Sequence, residues 1–210
     1  MEKEIELPLL FLDLETTGHD PLRRLGDKLV LWHEIIEIGA VAATSKTLEV
    51  LDVFETKVIP KHPRRCIPNI INHYPDRACR GEWKDAVPLA SAIRELLAFC
   101  LSTHAGPFVL VGQNFCFDWS FLSVALTQCR FDSEDLEKFF HYAKLDTRSM
   151  AIQKLMGTTG YDPKEFSLRA GLVQKHLGIQ PEPKPHTALN GAYQAYELYK
   201  ALRAEKIRHV

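Results

Sequence analysis

An almost wholly apolar run from Leu7 to Leu14 constrains the fold more than any other feature of the sequence. A strand buried on both faces of a sheet has this pattern. The chain has 210 residues, of which 46% are hydrophobic and 25% charged, as is typical of a globular protein. We therefore predict a single domain over residues 1–210, with a core from about residue 7 to residue 202.

The rest of the chain alternates between strand and helix patterns. Further strands are predicted at Ile35 to Thr44, Val50 to Ile59, Phe108 to Val111 and, more weakly, His141 to Asp146. Helices are predicted at Leu89 to Leu101, Phe117 to Cys129, Thr147 to Met156, Ser167 to Gly178 and about His186 to Glu205, and Asn69 to Val87 is irregular. This order indicates the α/β class: a mixed central sheet of about five strands flanked by helices.

Composition excludes several classes of protein. A formal net charge of -1 excludes a histone-like binder that holds nucleic acid by bulk positive charge. The five cysteines form no C-x-x-C pair, so neither a disulfide framework nor a structural zinc site is expected. No apolar run approaches the roughly 20 residues of a membrane span, and we expect neither a signal peptide nor a membrane partner. A cytoplasmic location fits these features best.

Two carboxylates at the end of the first strand are the sharpest local feature. Asp13 and Glu15 are two residues apart and project from the same face of a strand. A strand end that passes into solvent would explain Glu15. It would not explain Asp13, which stands between Leu12 and Leu14 in an apolar strand. A hard cation with oxygen ligands, such as Mg²⁺, would explain both.

Two more segments carry polar groups beside predicted elements. Asn114 and Asp118 follow the strand at Phe108 to Val111, where they could either cap a helix or serve a site. His186 begins the last helix after a proline-rich loop. A histidine there is either a solvated side chain or a general base.

Together the three segments resemble the DEDDh family of 3′–5′ exonucleases, the group of the polymerase proofreading subunit and ribonuclease T, with an RNase H-like fold. Residues 13–18 match its first motif, Asp-x-Glu followed by Thr-Thr-Gly. Asn114, Phe117 and Asp118 match the second, Asn-x-x-Phe-Asp, and His186 and Ala188 match the third, His-x-Ala-x-x-Asp. The pair Asp146-Thr147 is similar to a family Asp-Thr pair.

The resemblance implies hydrolysis of nucleic acid from 3′ ends, with release of nucleoside 5′-monophosphates. It implies two Mg²⁺ or Mn²⁺ ions held by Asp13, Glu15 and Asp118, with His186 as the base. The implied substrate contacts are Thr16, Thr17, Gly18, Asn114 and Phe117. Single-stranded DNA or RNA ends are the implied partners, and both a homodimer and a polymerase-associated protein are compatible with the resemblance.

Two departures from the family pattern stand out. The last motif aspartate is replaced by Gly191, so that an Asp restored at this position is expected to strengthen metal binding. The segment Leu22 to Trp32 is an insertion beside the motif at residues 13–18. Because of Gly191, three interpretations stay open. The chain is a weakened exonuclease, or it is a degenerate exonuclease fold that binds nucleic acid or protein without cleaving, or the glycine is an inactivating substitution.

A local excess of basic residues lies between residues 57 and 84. It comprises Lys57, Lys61, Arg64, Arg65, Arg77, Arg80 and Lys84, against Asp76 and Glu82. Phosphate binding and an ordinary solvated loop explain this excess equally well.

Overall fold

The computed structural model describes residues 7–68, 70–156 and 177–204, with a five-stranded mixed sheet at its centre. The strands are β1 (Leu9–Thr16), β4 (Ile35–Ala43), β5 (Val50–Lys57), β6 (Phe108–Gly112) and β7 (Phe140–Asp146). Their order is β5-β4-β1-β6-β7. β4 runs antiparallel to β1 and β5, whereas β6 is parallel to β1 and β7. The predicted fold class is confirmed.

Helices cover the sheet. They are α1 (Tyr74–Cys79), α2 (Leu89–Thr103), α3 (Cys116–Gln128), α4 (Ser133–Leu136), α5 (Thr147–Met156) and α6 (Ala188–Arg203), with a short 3₁₀ turn at Pro63–Arg65. Within the described residues, no helix is long and apolar enough to cross a membrane.

β1 sends alternate side chains to two hydrophobic clusters. Leu10, Leu12 and Leu14 belong to the cluster that includes residues of α2 and α3. Leu9 and Phe11 belong to the cluster that includes residues of α6. Because side chains alternate along a strand, Asp13 and Glu15 share the face of Phe11, on which α6 packs.

The start of α6 approaches the sheet very closely beside Asp13. Gly39 of β4 is the register partner of Asp13. A Cβ atom on Gly39 would lie 2.1 Å from the carbonyl carbon of Ala188, the first residue of α6. The glycine therefore lets the helix begin directly against the strand pair that carries the carboxylates.

The structure adds elements that periodicity did not predict. The insertion Leu22 to Trp32 contains an antiparallel hairpin of β2 (Leu22–Leu25) and β3 (Lys28–Leu31). The segment Asn69 to Val87, predicted to be irregular, contains α1. The helix predicted at Ser167 to Gly178 lies outside the described residues except for its last two positions.

Candidate active site

The carboxylates of Asp13 and Glu15 lie at the end of β1, beneath the start of α6. Gly191, on the buried side of α6, faces Asp13 directly. A Cβ atom on Gly191 would lie 2.4 Å from both Cγ and Oδ2 of Asp13. The Asp13 carboxylate thus fills the space where a side chain from α6 would begin. An Asp at position 191 would therefore require the Asp13 carboxylate to turn away, and whether it adds a ligand stays a prediction.

Asp118, in the first turn of α3, reaches the same strand. Its Oδ1 accepts a hydrogen bond of 2.9 Å from the backbone N–H of Leu14, and the residue is buried. Leu14 stands between Asp13 and Glu15 in β1, so this bond ties α3 to the two strand carboxylates. The structure thus brings the first and second motifs together.

The three carboxylates crowd one another: Glu15 and Asp118 are buried, and Asp13 is partly buried. Burial raises the pKa of Asp13 well above its usual range, and the charges of Asp118 and Glu15 raise it further. Burial also raises the pKa of Asp118, although the Leu14 N–H opposes that shift. Burial raises the pKa of Glu15 to about 7. Without a cation, the cluster therefore resists full ionisation.

His186 lies beside the cluster and is oriented by Glu182, a residue that the sequence analysis missed. Its Nδ1 lies 2.8 Å from Oε2 of Glu182. This hydrogen bond raises the pKa of His186. Glu182 precedes the histidine by four residues in the proline-rich loop, and no sequence motif marks it.

Asn72 positions Glu15 and was also missed. Its amide nitrogen donates to Oε2 of Glu15 at 2.8 Å and to the carbonyl of Thr16 at 3.0 Å. Its Oδ1 accepts from the backbone N–H of Tyr74 at the start of α1. An asparagine in an irregular segment carries no pattern that would have revealed this contact.

Arg77 holds the loop before α6 in place. Its guanidinium pairs with Glu37 at 2.7 Å and with Glu82 at 2.8 Å, and it donates to the backbone carbonyl of His186 at 3.1 Å. The other oxygen of Glu37 accepts from the N–H of Ala188. Arg77 is 1% exposed and paired within the protein, so neither phosphate binding nor a solvated loop describes this member of the basic excess.

This arrangement of carboxylates and histidine lies within a region that matches a known family. The family model described as RNase T, exonuclease, matches residues 10–199.

The chain belongs to the RNase T exonuclease family.

Solved structures agree with this family assignment at the level of the fold. A 3′-exonuclease described as recognising the 3′ end of histone mRNA stem-loop aligns with a TM-score of 0.66 and 16% identity, over 95% of this chain and 65% of that one. Exonuclease I of E. coli, in complex with a dT13 oligonucleotide, aligns with a TM-score of 0.66 and 16% identity, over 95% and 41%. Exonuclease I of Methylocaldum szegediense aligns with a TM-score of 0.68 and 19% identity, over 96% and 41%.

The chain spans about two fifths of the length of the exonuclease I chains and just under two thirds of the 3′-exonuclease. At these identities the alignments establish the RNase H-like exonuclease fold. No curated protein matched the chain by sequence.

The expected substrate contacts at the first motif are partly engaged within the protein. Thr17 is buried, and its backbone N–H donates to the carbonyl of Glu34 at 2.9 Å. The Thr16 hydroxyl donates to the carbonyl of Gly18 at 2.6 Å. The ring of His33 packs against Gly18, leaving no room for a side chain there. The backbone N–H of Thr17 is therefore already engaged within the protein, and the substrate contacts of this motif stay predictions.

The two predicted substrate contacts of the second motif, Asn114 and Phe117, differ in their exposure to solvent. Asn114 is exposed and has a left-handed φ of 62°. Phe117 is partly buried and packs on Phe121, with 5.1 Å between ring centroids. Asn114 remains a predicted substrate contact, whereas much of the Phe117 ring serves the core.

The Asp146-Thr147 pair stabilises the turn that carries the second motif. Oδ2 of Asp146 accepts from the N–H of Phe115 at 2.7 Å, and Oδ1 accepts from the N–H of Ser149. The hydroxyl of buried Thr147 donates to the carbonyl of Gly112. These bonds fix the turn that leads into α3.

The donor set fits a hard divalent cation such as Mg²⁺ or Mn²⁺. Asp13, Glu15 and Asp118 offer carboxylate oxygens, and Oε1 of Glu182 is buried without a hydrogen-bond partner. Within the described ranges, no three His, Cys, Asp or Glu side chains form a preformed ligand set.

Proposed function

We propose that this chain is a metal-dependent 3′–5′ exonuclease that releases nucleoside 5′-monophosphates from single-stranded nucleic acid. One observation carries the proposal: Asp13, Glu15, Asp118 and His186 converge at the end of β1 in a chain of the RNase T exonuclease family. Each acidic residue comes from a strand or a helix of the core, so the site is built on rigid elements.

Asp13, Glu15 and Asp118 would hold two divalent ions. When bound, such ions activate the attacking water and neutralise the leaving 3′-oxygen. Asn72 keeps Glu15 in place through the 2.8 Å bond to Oε2. The N–H of Leu14 does the same for Asp118.

His186 would accept the proton of the attacking water at Nε2. The contact of 2.8 Å with the Glu182 carboxylate places the proton of a neutral ring on Nδ1, since a carboxylate oxygen can only accept. Nε2 is then the nitrogen with a free lone pair. Because the pKa of His186 is raised, cleavage should increase as pH rises through that pKa and the ring loses its charge.

The structural neighbours support a nucleic-acid substrate. Exonuclease I of E. coli is described in complex with a dT13 oligonucleotide, and the 3′-exonuclease as recognising a 3′ end of RNA. Exposed Asn114 lies at the start of the second motif, where it could contact the terminal nucleotide.

The test uses single-stranded DNA and RNA of one sequence, labelled at the 5′ end. The full chain is incubated with Mg²⁺, Mn²⁺ or chelator, and products are resolved by electrophoresis and chromatography. We expect a ladder of 5′-labelled products and free nucleoside 5′-monophosphates with metal only. Asp13→Asn should abolish cleavage, whereas Asp52→Asn, at an exposed position in β5, should not. Equal cleavage in chelator would overturn the metal mechanism.

A second function is favoured by Gly191 alone. A chain that lacks a side chain on α6 opposite Asp13 could bind nucleic acid ends without cleaving them. In the same assay that protein would shift the labelled strands in a native gel and yield no shorter product with either metal.

A further inference from the structure

Glu182 presents one carboxylate oxygen that nothing in the described part of the chain satisfies. Its Oε2 contacts Nδ1 of His186, but Oε1 is buried and has no hydrogen-bond partner. A buried acceptor without a donor costs free energy, and a native structure that keeps one calls for an explanation such as an ion. The side chain is only 16% exposed, so water is largely kept away from it.

Among the ion pairs of the described residues, Glu182 contacts His186 only. Its contact with His186 holds the Glu182 carboxylate beside the acidic cluster, and its charge raises the pKa of both Asp13 and Glu15. Arg77, which donates to the backbone carbonyl of His186, has its guanidinium paired with Glu37 and Glu82. A bound cation would satisfy the unpartnered oxygen and offset the repulsion among these carboxylates together.

We propose that Glu182 is a metal-binding residue of the exonuclease site, supplying from the loop a fourth carboxylate that α6 lacks at Gly191. The inference rests on the proposed function, since it concerns the same ions. Two divalent ions carry four positive charges, and Asp13, Glu15 and Asp118 offer three negative ones. Glu182 completes the balance.

The two oxygens of Glu182 then have separate tasks. Oε2 orients His186, and Oε1 contributes to ion binding. This arrangement would also explain why α6 can lack a side chain at Gly191: the Asp13 carboxylate occupies that space, and the loop supplies the additional charge.

The experiment measures Mn²⁺ binding to the full chain by calorimetry and electron paramagnetic resonance, without substrate. Glu182→Gln retains the shape of the side chain and can still accept a hydrogen bond from Nδ1 of His186. Even an indirect contact to a metal site is worth about 10–100-fold in affinity, so this variant should weaken Mn²⁺ binding by at least about tenfold. Glu182→Asp, which retains the charge, should recover part of that loss.

Glu197→Gln is the matched control, because Glu197 is a half-exposed residue on α6 that contacts only Lys200 among the ion pairs of the described residues. Its Mn²⁺ affinity should equal that of the wild type. Circular dichroism in chelator checks that all variants are folded.

The outcomes separate this inference from the proposed function. If the wild type binds Mn²⁺ and cleaves, and Glu182→Gln binds Mn²⁺ equally well, the inference is wrong and the function stands. A variant with unchanged Mn²⁺ affinity and a shifted pH profile of cleavage would make Glu182 a positioning residue for His186 only. If the wild type neither binds Mn²⁺ nor cleaves, both are overturned.

Discussion

At the scale of single residues, we expect the Asp13 carboxylate to lower the stability of the metal-free protein although activity requires it. Its carboxylate is crowded by Asp118 and Glu15, and burial raises its pKa. Asp13→Asn removes one of several like charges and retains the side-chain shape. We expect the melting temperature in chelator to stay equal or rise, while metal-induced stabilisation is lost. Thermal unfolding with and without Mn²⁺ measures both effects. A lower melting temperature in chelator would give Asp13 a structural role.

Gly191 is the second residue that decides the site. Gly191→Ala adds a methyl group 2.4 Å from the Asp13 carboxyl carbon, which must then move. Alanine favours the helix by roughly 1 kcal/mol, so helix content should be retained while Mn²⁺ affinity and cleavage both fall. Glu197→Ala, on the exposed side of α6, is the control.

Gly191→Asp tests whether the site can accept a further carboxylate from α6, because it adds a carboxylate together with the same Cβ. We expect no gain in Mg²⁺ affinity over the wild type in a calorimetric titration. Tighter Mg²⁺ binding would mean that Asp13 can adopt another rotamer and that the site accepts a carboxylate from α6. Glu182 would then not be needed as the fourth acidic group.

At the scale of elements, the sequence predicted the strands, helices and motif residues that depend on local sequence patterns. The apolar strands β1 and β4, the helix α3 and the acidic residues on β1 and α3 were all found, since hydrophobic pattern and short motifs are local signals. The contacts of Asn72, Arg77 and Glu182 were not found. The contacts of Asn72 and Arg77 join segments distant in sequence, and the contact of Glu182 with His186 lies in a loop that no motif marks. A polar or charged residue in an irregular segment looks the same in the sequence whether it is buried or solvated.

Arg77 links β4, through Glu37, with Glu82 and with the loop at His186. Its loss should therefore destabilise all three. Arg77→Met would leave Glu37 buried without its partner, and breaking a buried pair costs about 3–5 kcal/mol. For a chain of this length that corresponds to a fall in melting temperature of roughly 10 °C. Cleavage should fall too, because the carbonyl of His186 loses a donor. Arg80→Met, at a side chain 62% exposed, is the control, and an equal melting temperature for both variants would contradict this account.

At the scale of the whole molecule, the buried acids make the stability of the metal-free protein depend on pH. Folding raises the pKa values of Asp13, Glu15 and Asp118. At a pH between the unfolded and the folded pKa of such a group, the carboxyl is ionised in the unfolded chain but still protonated in the folded protein, which therefore binds more protons. For Glu15 that interval runs from 4.5 to about 7. The raised pKa of His186 acts in the same direction. The free energy of unfolding in chelator should therefore fall as pH rises from about 5 to about 8.

Divalent ions should reverse this dependence, because they bind the deprotonated carboxylates and stabilise the folded state most at high pH. Urea denaturation at four pH values, with chelator and with Mn²⁺, measures both slopes. Asp13→Asn should flatten the slope in chelator, since one group with a raised pKa is removed. Glu55→Gln, at an exposed position in β5, should leave it unchanged. A free energy of unfolding that rises with pH in chelator would show that these carboxylates are already stabilised by the protein itself, and the cluster would then have no need of a cation.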